Sequence, residues 1–187
     1  LLQLTADRIE NRVATPTEKA SKNLSDLFDL AHKYNVVSPE LDMGSASKLY
    51  PLDPISSVCL TISVQRYGQN ERTLFSFLEA TDRYSLSAFK PSDNRTYNLA
   101  EVFDYITYNF YTYLSEANAD SMDWRAIRIA IDRVSSGIIE DRMSVEACLA
   151  IIKTISLLSL FCKSITIDKG LLIPYAEKAR GIENAEQ

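Results

Sequence analysis

Two arginines and two amides crowd the stretch Arg66-Tyr67-Gly68-Gln69-Asn70-Glu71-Arg72-Thr73. A guanidinium offers a planar fork of donors that matches phosphate or carboxylate oxygens, and a carboxamide adds both a donor and an acceptor. Arg66, Gln69, Asn70 and Arg72 are therefore the candidate anion-contact set. Their chemistry would be electrostatic: an arginine facing a transferring phosphoryl group stabilises the charge developing on its oxygens. The competing role is architectural, with Arg66 and Arg72 paired to Glu71, Glu79 or Asp82 and fixing a turn. Nothing in this stretch could bind a nucleotide unaided.

Other chemistries find less support. His32 is the only histidine and sits beside Lys33 on a helical pattern, with no serine or cysteine nucleophile implied nearby. Cys59, Cys148 and Cys162 are odd in number and lack CxxC spacing, so neither a disulfide framework nor a zinc site is indicated. They read as small buried apolar residues of a reducing compartment. Glu140 and Asp141 lie beside Arg142 in a polar link that reads as a solvated turn. Gly44-Ser45-Ala46-Ser47-Lys48 has the composition of a phosphate loop but lacks the second glycine and the preceding buried strand. No catalytic centre and no metal site are expected in the chain.

The elements that must position the arginines are helical. Asp53 before Pro54 marks a helix start, because Asp accepts orphan N–H groups and Pro tolerates the first helical position. Gly68 is expected to end that helix in the left-handed conformation. Asn70 and Glu71 then start a second helix carrying Leu74, Phe75, Phe77 and Leu78. Upstream, Thr15-Pro16-Thr17 divides residues 1–37 into two helices, the second striped by Leu24, Leu27, Phe28, Leu30 and Ala31. Residues 38–49 read as a loop or hinge, and residues 50–187 as a helical bundle carrying the arginine joint.

Downstream, Leu99 to Ser115 reads as one amphipathic helix with Val102, Phe103, Ile106, Phe110, Tyr113 and Leu114 on a face. Tyr105, Tyr108 and Tyr111 recur at three-residue spacing as a second aromatic stripe, the candidate partner surface. Packing of a wide-faced helix between two others is the alternative. Asp120-Ser121-Met122-Asp123 caps a helix bearing Trp124, Ile127, Ile131 and Val134, whose Arg125, Arg128 and Arg133 are interleaved with Asp123 and Asp132 as a solvated face. A central core helix follows over 147–162, then a brief extended piece at Ile165-Thr166-Ile167. A last helix spans Leu171 to Ala179, capped by Gly181. The predicted fold class is all-α: an irregular multi-helix bundle with little or no strand.

Composition agrees. The 187 residues are 46% hydrophobic and 24% charged, with five glycines and six prolines, the balance of a globular helical protein. A net charge of -5 argues against a broad non-specific nucleic-acid surface. The longest apolar run is broken by Lys153 and is too short to cross a bilayer, and no signal peptide is read at Leu1-Leu2-Gln3-Leu4. No membrane is expected, and the location is expected to be cytoplasmic. The chain begins without methionine and stops at Ile182-Glu183-Asn184-Ala185-Glu186-Gln187 in the manner of a helix just starting, as a fragment of a longer polypeptide would.

The pattern Tyr50-Pro51-Leu52-x-Pro54, a mostly apolar run, then Arg66-x-Gly68-Gln69-Asn70-Glu71-Arg72-Thr73-Leu74-Phe75-Ser76-Phe77-Leu78 resembles a segment of large bacterial P-loop ATPases of the AAA+ and STAND-like kind. Some of these resemble components of phage-defence systems. Trp124-Arg125-Ala126-Ile127, the run Leu149 to Leu158 and Leu171-Leu172-Ile173-Pro174-Tyr175-Ala176 before Gly181 fit as well, although the first block is the specific one. Asp53 stands where that pattern carries histidine. The resemblance implies a non-catalytic, lid-like or arm-like helical region that follows a P-loop nucleotide-binding core in the same polypeptide. ATP and Mg would belong to that core, and Arg66 or Arg72 would sense the nucleotide. A nucleic-acid-binding helical module and an oligomerisation scaffold, with the chain as a homo-oligomer, are the rival readings.

Overall fold

The computed structural model describes residues 15–68, 71–81, 83–115, 119–137 and 144–182. Thr17 opens the first helix, α1 (Glu18–Lys33), by accepting the Ala20 N–H at 3.2 Å. Asp42 does the same for Ser45 N at 2.8 Å and starts a five-residue helix, α2 (Met43–Ser47), within the segment read as a loop or hinge. Asp53 caps α3 (Pro54–Tyr67), with Pro54 in the first turn as the sequence predicts. Then come α4 (Glu71–Glu79), a 3₁₀ turn at Leu86–Ala88, α5 (Leu99–Asn109), α6 (Tyr111–Ser115), α7 (Ser121–Ser135), α8 (Val145–Phe161) and α9 (Lys169–Arg180). Gly181, at φ 65°, terminates α9 in the left-handed region.

The fold is an all-α bundle. Among the described residues the only extended pairings are isolated bridges, Leu52 with Tyr97 and Ser92 with Arg95. Helix α3 is the hub, packed against α1, α4, α5 and α8, while α1 lies along α9 and α7 along α8. Its Ile55, Cys59, Leu60 and Val64 are fully buried with Leu27 of α1, Val102 and Ile106 of α5, Leu157 of α8 and Leu171 of α9. Because these apolar faces come from helices distant in sequence, the hydrophobic effect closes one shared core. No described helix is long and apolar enough to cross a membrane.

Three local expectations are corrected. The helix expected over Leu99 to Ser115 breaks at Phe110, whose φ of -112° and ψ of 17° leave the helical region. The Phe110 ring sits 6.3 Å from Tyr67 and 6.2 Å from Tyr105, so inward aromatic packing at this corner accompanies the turn between α5 and α6. Gly68 is not left-handed but extended, at φ -103° and ψ -171°. Glycine is required there for space, since a Cβ would lie 2.7 Å from Thr73 Oγ1 and 2.8 Å from Val64 O. Asp120 stands at the start of α7 without capping it, because its carboxylate is engaged elsewhere.

Candidate functional site

The last turn of α3 places Arg66 and Tyr67 against the start of α7 and the end of α8. Arg66 Nη1 donates to Asp120 Oδ2 at 3.0 Å and to the Leu160 carbonyl at 3.4 Å, and its guanidinium lies 5.2 Å from the centre of the Phe161 ring. Tyr67 donates to the same Asp120 oxygen at 2.7 Å and accepts the Trp124 indole N–H at 3.1 Å. Partial burial works against the Arg66 charge, but the hydrogen bond and charge of Asp120 outweigh it and raise its pKa. Burial, and then the Asp120 carboxylate, push the Tyr67 phenol up to about 12. The arrangement is a latch: one carboxylate gathers a guanidinium and a phenol, and the indole closes the chain. Among the described residues the acid that meets Arg66 is Asp120 of a distant element, not one of the nearby acids Glu71, Glu79 or Asp82 named as partners in the sequence.

Arg72 stands apart from the latch. It is exposed on α4 beside a shallow hollow shared with Phe75, Ser76, Glu79 and Ala80. The inner face of α4, with Leu74, Phe77 and Leu78, is buried in the core. Gln69 and Asn70, the remaining members of the predicted anion-contact set, lie outside the described residues, as do Glu140 and Asp141. The structure therefore separates the two arginines: Arg66 is tied to the start of α7 and the end of α8, and Arg72 lies on the open face of α4.

A buried polar cluster at the other end of α3 escaped the sequence reading. Asp53, fully buried, accepts Ser56 N at 2.9 Å, and its Oδ2 receives Ser56 Oγ at 2.7 Å, Tyr175 OH at 2.9 Å and Thr96 Oγ1 at 3.3 Å. Tyr175 OH also accepts Leu99 N at 2.8 Å, joining the α5 N-terminus to α9, and lies 3.0 Å from Ser56 Oγ. Asn98 caps α5 through Ala100 N and takes Arg180 Nη1 at 3.1 Å. Burial pushes the Asp53 carboxyl up in spite of these donors. Only the capping role of Asp53 was legible in sequence, because Thr96 and Tyr175 are distant partners.

The tyrosine stripe is divided. Tyr105 is buried, with its ring 4.8 Å from Phe77 and its hydroxyl 3.4 Å from the Thr73 carbonyl. Tyr108 and Tyr111 are exposed, and Tyr108 packs edge-on against Tyr84 at 5.7 Å. Tyr113 and Met122 are exposed as well. Three-residue spacing drifts around a helix of 3.6 residues per turn, and the break at Phe110 separates Tyr111 further from the other two.

His32 Nε2 lies 3.2 Å from the Leu41 carbonyl and its ring packs on Phe28, the contacts of a structural histidine. Among the described residues no group of His, Cys, Asp and Glu side chains could hold a metal ion. No protein-family model matches the chain, and neither the curated proteins nor the solved structures contain a significant match to it.

Proposed function

We propose that this chain is a non-catalytic helical accessory region of a larger cytoplasmic ATP-binding protein, in which the α3–α4 joint passes nucleotide state on as movement or partner contact. The observation that supports this reading is the division of the joint: Arg66, its side chain still 35% exposed, is tied to Asp120, Leu160 and Phe161, while Arg72 lies exposed on the adjoining helix outside that latch. Arg66 then serves as the rigid anchor and Arg72 as the arm that meets a phosphate or an acidic group. ATP and Mg are supplied by a P-loop core of the same polypeptide.

The test uses that polypeptide. Arg72→Ala lowers ATP turnover about tenfold or more while nucleotide binding persists, as expected for a group that acts on the transferring phosphoryl. Unchanged turnover, or a parent sequence without a P-loop, refutes the proposal. The 187-residue chain by itself should hydrolyse no ATP.

A nucleic-acid-binding module is the second reading, favoured by the exposed Arg125, Arg128 and Arg133 of α7. Asp123 and Asp132 are exposed on the same helix and offset that charge. A titration against duplex DNA decides this rival, because several phosphate contacts must give an affinity that falls steeply with salt.

A further inference from the structure

We propose that Cys59 and Cys162 are a reversible thiol–disulfide pair, an oxidation site whose oxidant is a hydroperoxide. Their sulfurs lie 3.8 Å apart, although the residues are separated by 103 positions in the chain. Closing to a disulfide length of about 2.05 Å needs a movement of less than two ångströms. The two residues differ in freedom. Cys59 is fully buried within α3, where the helix fixes its backbone. Cys162 is the C-cap of α8, at φ -115° and ψ 55°, followed by exposed Lys163 and Ser164 in a segment without regular structure. Cys162 is itself buried, at 8% exposure against 0% for Cys59, so a small oxidant approaches it from the exposed turn at Lys163 and Ser164, and the Cys162 side can turn toward its partner. The mutual hydrogen bond lowers the Cys162 thiol against the effect of burial and raises that of Cys59, the direction that favours attack by Cys162.

The chemistry balances. The Cys162 thiolate attacks one oxygen of hydrogen peroxide, the O–O bond breaks, and a sulfenic acid and hydroxide result. The Cys59 sulfur then attacks the Cys162 sulfur, the S–O bond breaks, and the sulfenic hydroxyl leaves as water with the Cys59 proton, while the proton first lost by Cys162 turns the hydroxide into the second water. The sum is two thiols and one peroxide giving one disulfide and two waters. Each sulfur loses one electron, and the peroxide gains two. A dithiol reductant reverses the bond by exchange.

Cys148 is half-buried near the start of α8, and Cys148→Ser leaves only the pair to read. After treatment with dilute hydrogen peroxide, that protein should lose about 2 Da and take no alkylating label when denatured. It should also yield a cross-linked peptide joining the Cys59 and Cys162 segments, and melt about 5–15 °C higher until dithiothreitol restores it. In Cys59→Ser the sulfenic acid at Cys162 has no resolving thiol, so dimedone labels it. Should that variant not fold, the intact mass and cross-link of the Cys148→Ser protein decide alone. Two thiols still open to alkylation, over-oxidation of Cys162 with Cys59 still reduced, or a bond to a second copy would each overturn the proposal.

Discussion

Replacing Tyr175 by Phe removes one oxygen from the centre of the buried cluster and leaves the ring in place. That oxygen accepts Leu99 N at 2.8 Å and donates to Asp53 Oδ2 at 2.9 Å, at a residue only 1% exposed. The stranded Leu99 N–H costs about 1–3 kcal/mol, because no water replaces the lost acceptor. The Asp53 carboxyl loses one donor of several, a further loss of about 1 kcal/mol. The void left by a hydroxyl is too small to add much. The sum is about 2–4 kcal/mol, a large share of a typical domain stability of about 5–15 kcal/mol. Urea unfolding followed by fluorescence of Trp124, which is 2% exposed and the only tryptophan, measures it directly. The same change at the exposed Tyr108 should cost less than about 0.5 kcal/mol. A loss below about 1 kcal/mol for Tyr175→Phe, with the denaturant slope unchanged, would refute the claim that this hydroxyl holds α3, α5 and α9 together.

The remaining predictions concern protons and space. The folded state raises the Asp53 pKa above its ordinary 3.8 and so binds the proton more tightly than the unfolded chain. Its contribution is complete below 3.8 and is lost as pH rises through the folded value, with a slope of up to about 1.4 kcal/mol per pH unit. Asp53→Asn should remove that decline, and the difference between the two proteins across a pH series isolates it; equal slopes would contradict the prediction. Tyr67, raised from 10.0 to about 12, holds its proton in the folded state, so its contribution is complete below 10.0 and is lost as pH climbs through about 12. In the tyrosinate absorbance titration, Tyr67→Phe should delete a step near the upper value. Gly68→Ala should cost about 1–3 kcal/mol by forcing a Cβ against Val64 O and Thr73 Oγ1. At Gly137, where φ is 72° and no atom lies within 4 Å of an added Cβ, Asn should recover most of the loss made by Ala. At Gly68 Asn should recover nothing, and thermal melts of the four variants compare them.

Local physical chemistry wrote much of this fold into the chain. Asp53 before Pro54 and Asp168 ahead of α9 start helices through their own neighbouring N–H groups, and Gly181 ends one through its own φ. The apolar spacing around Leu24, Leu27, Leu30 and Ala31 of α1 fixed which face turns inward, and all four are buried. The exposed Arg72 and the inward face of α4 follow from the same periodicity. Such features need only nearby residues, so one sequence suffices to read them.

Tertiary structure decided what depends on partners far along the chain. Arg66 became an anchor because α7 delivers Asp120 and α8 delivers the Leu160 carbonyl and the Phe161 ring to one place. Gly68 is glycine because Thr73 and Val64 approach it, a steric fact that no turn rule encodes. The helix expected to run to Ser115 yields at Phe110, whose ring meets Tyr67 of α3, and Tyr105 leaves the surface to meet Phe77. Cys59 and Cys162, 103 residues apart, meet at 3.8 Å only after α3 and α8 have packed. Capping and amphipathicity act over one or two helical turns and are legible locally, whereas ion pairing, close backbone approach and thiol proximity are set by the packing of the whole core.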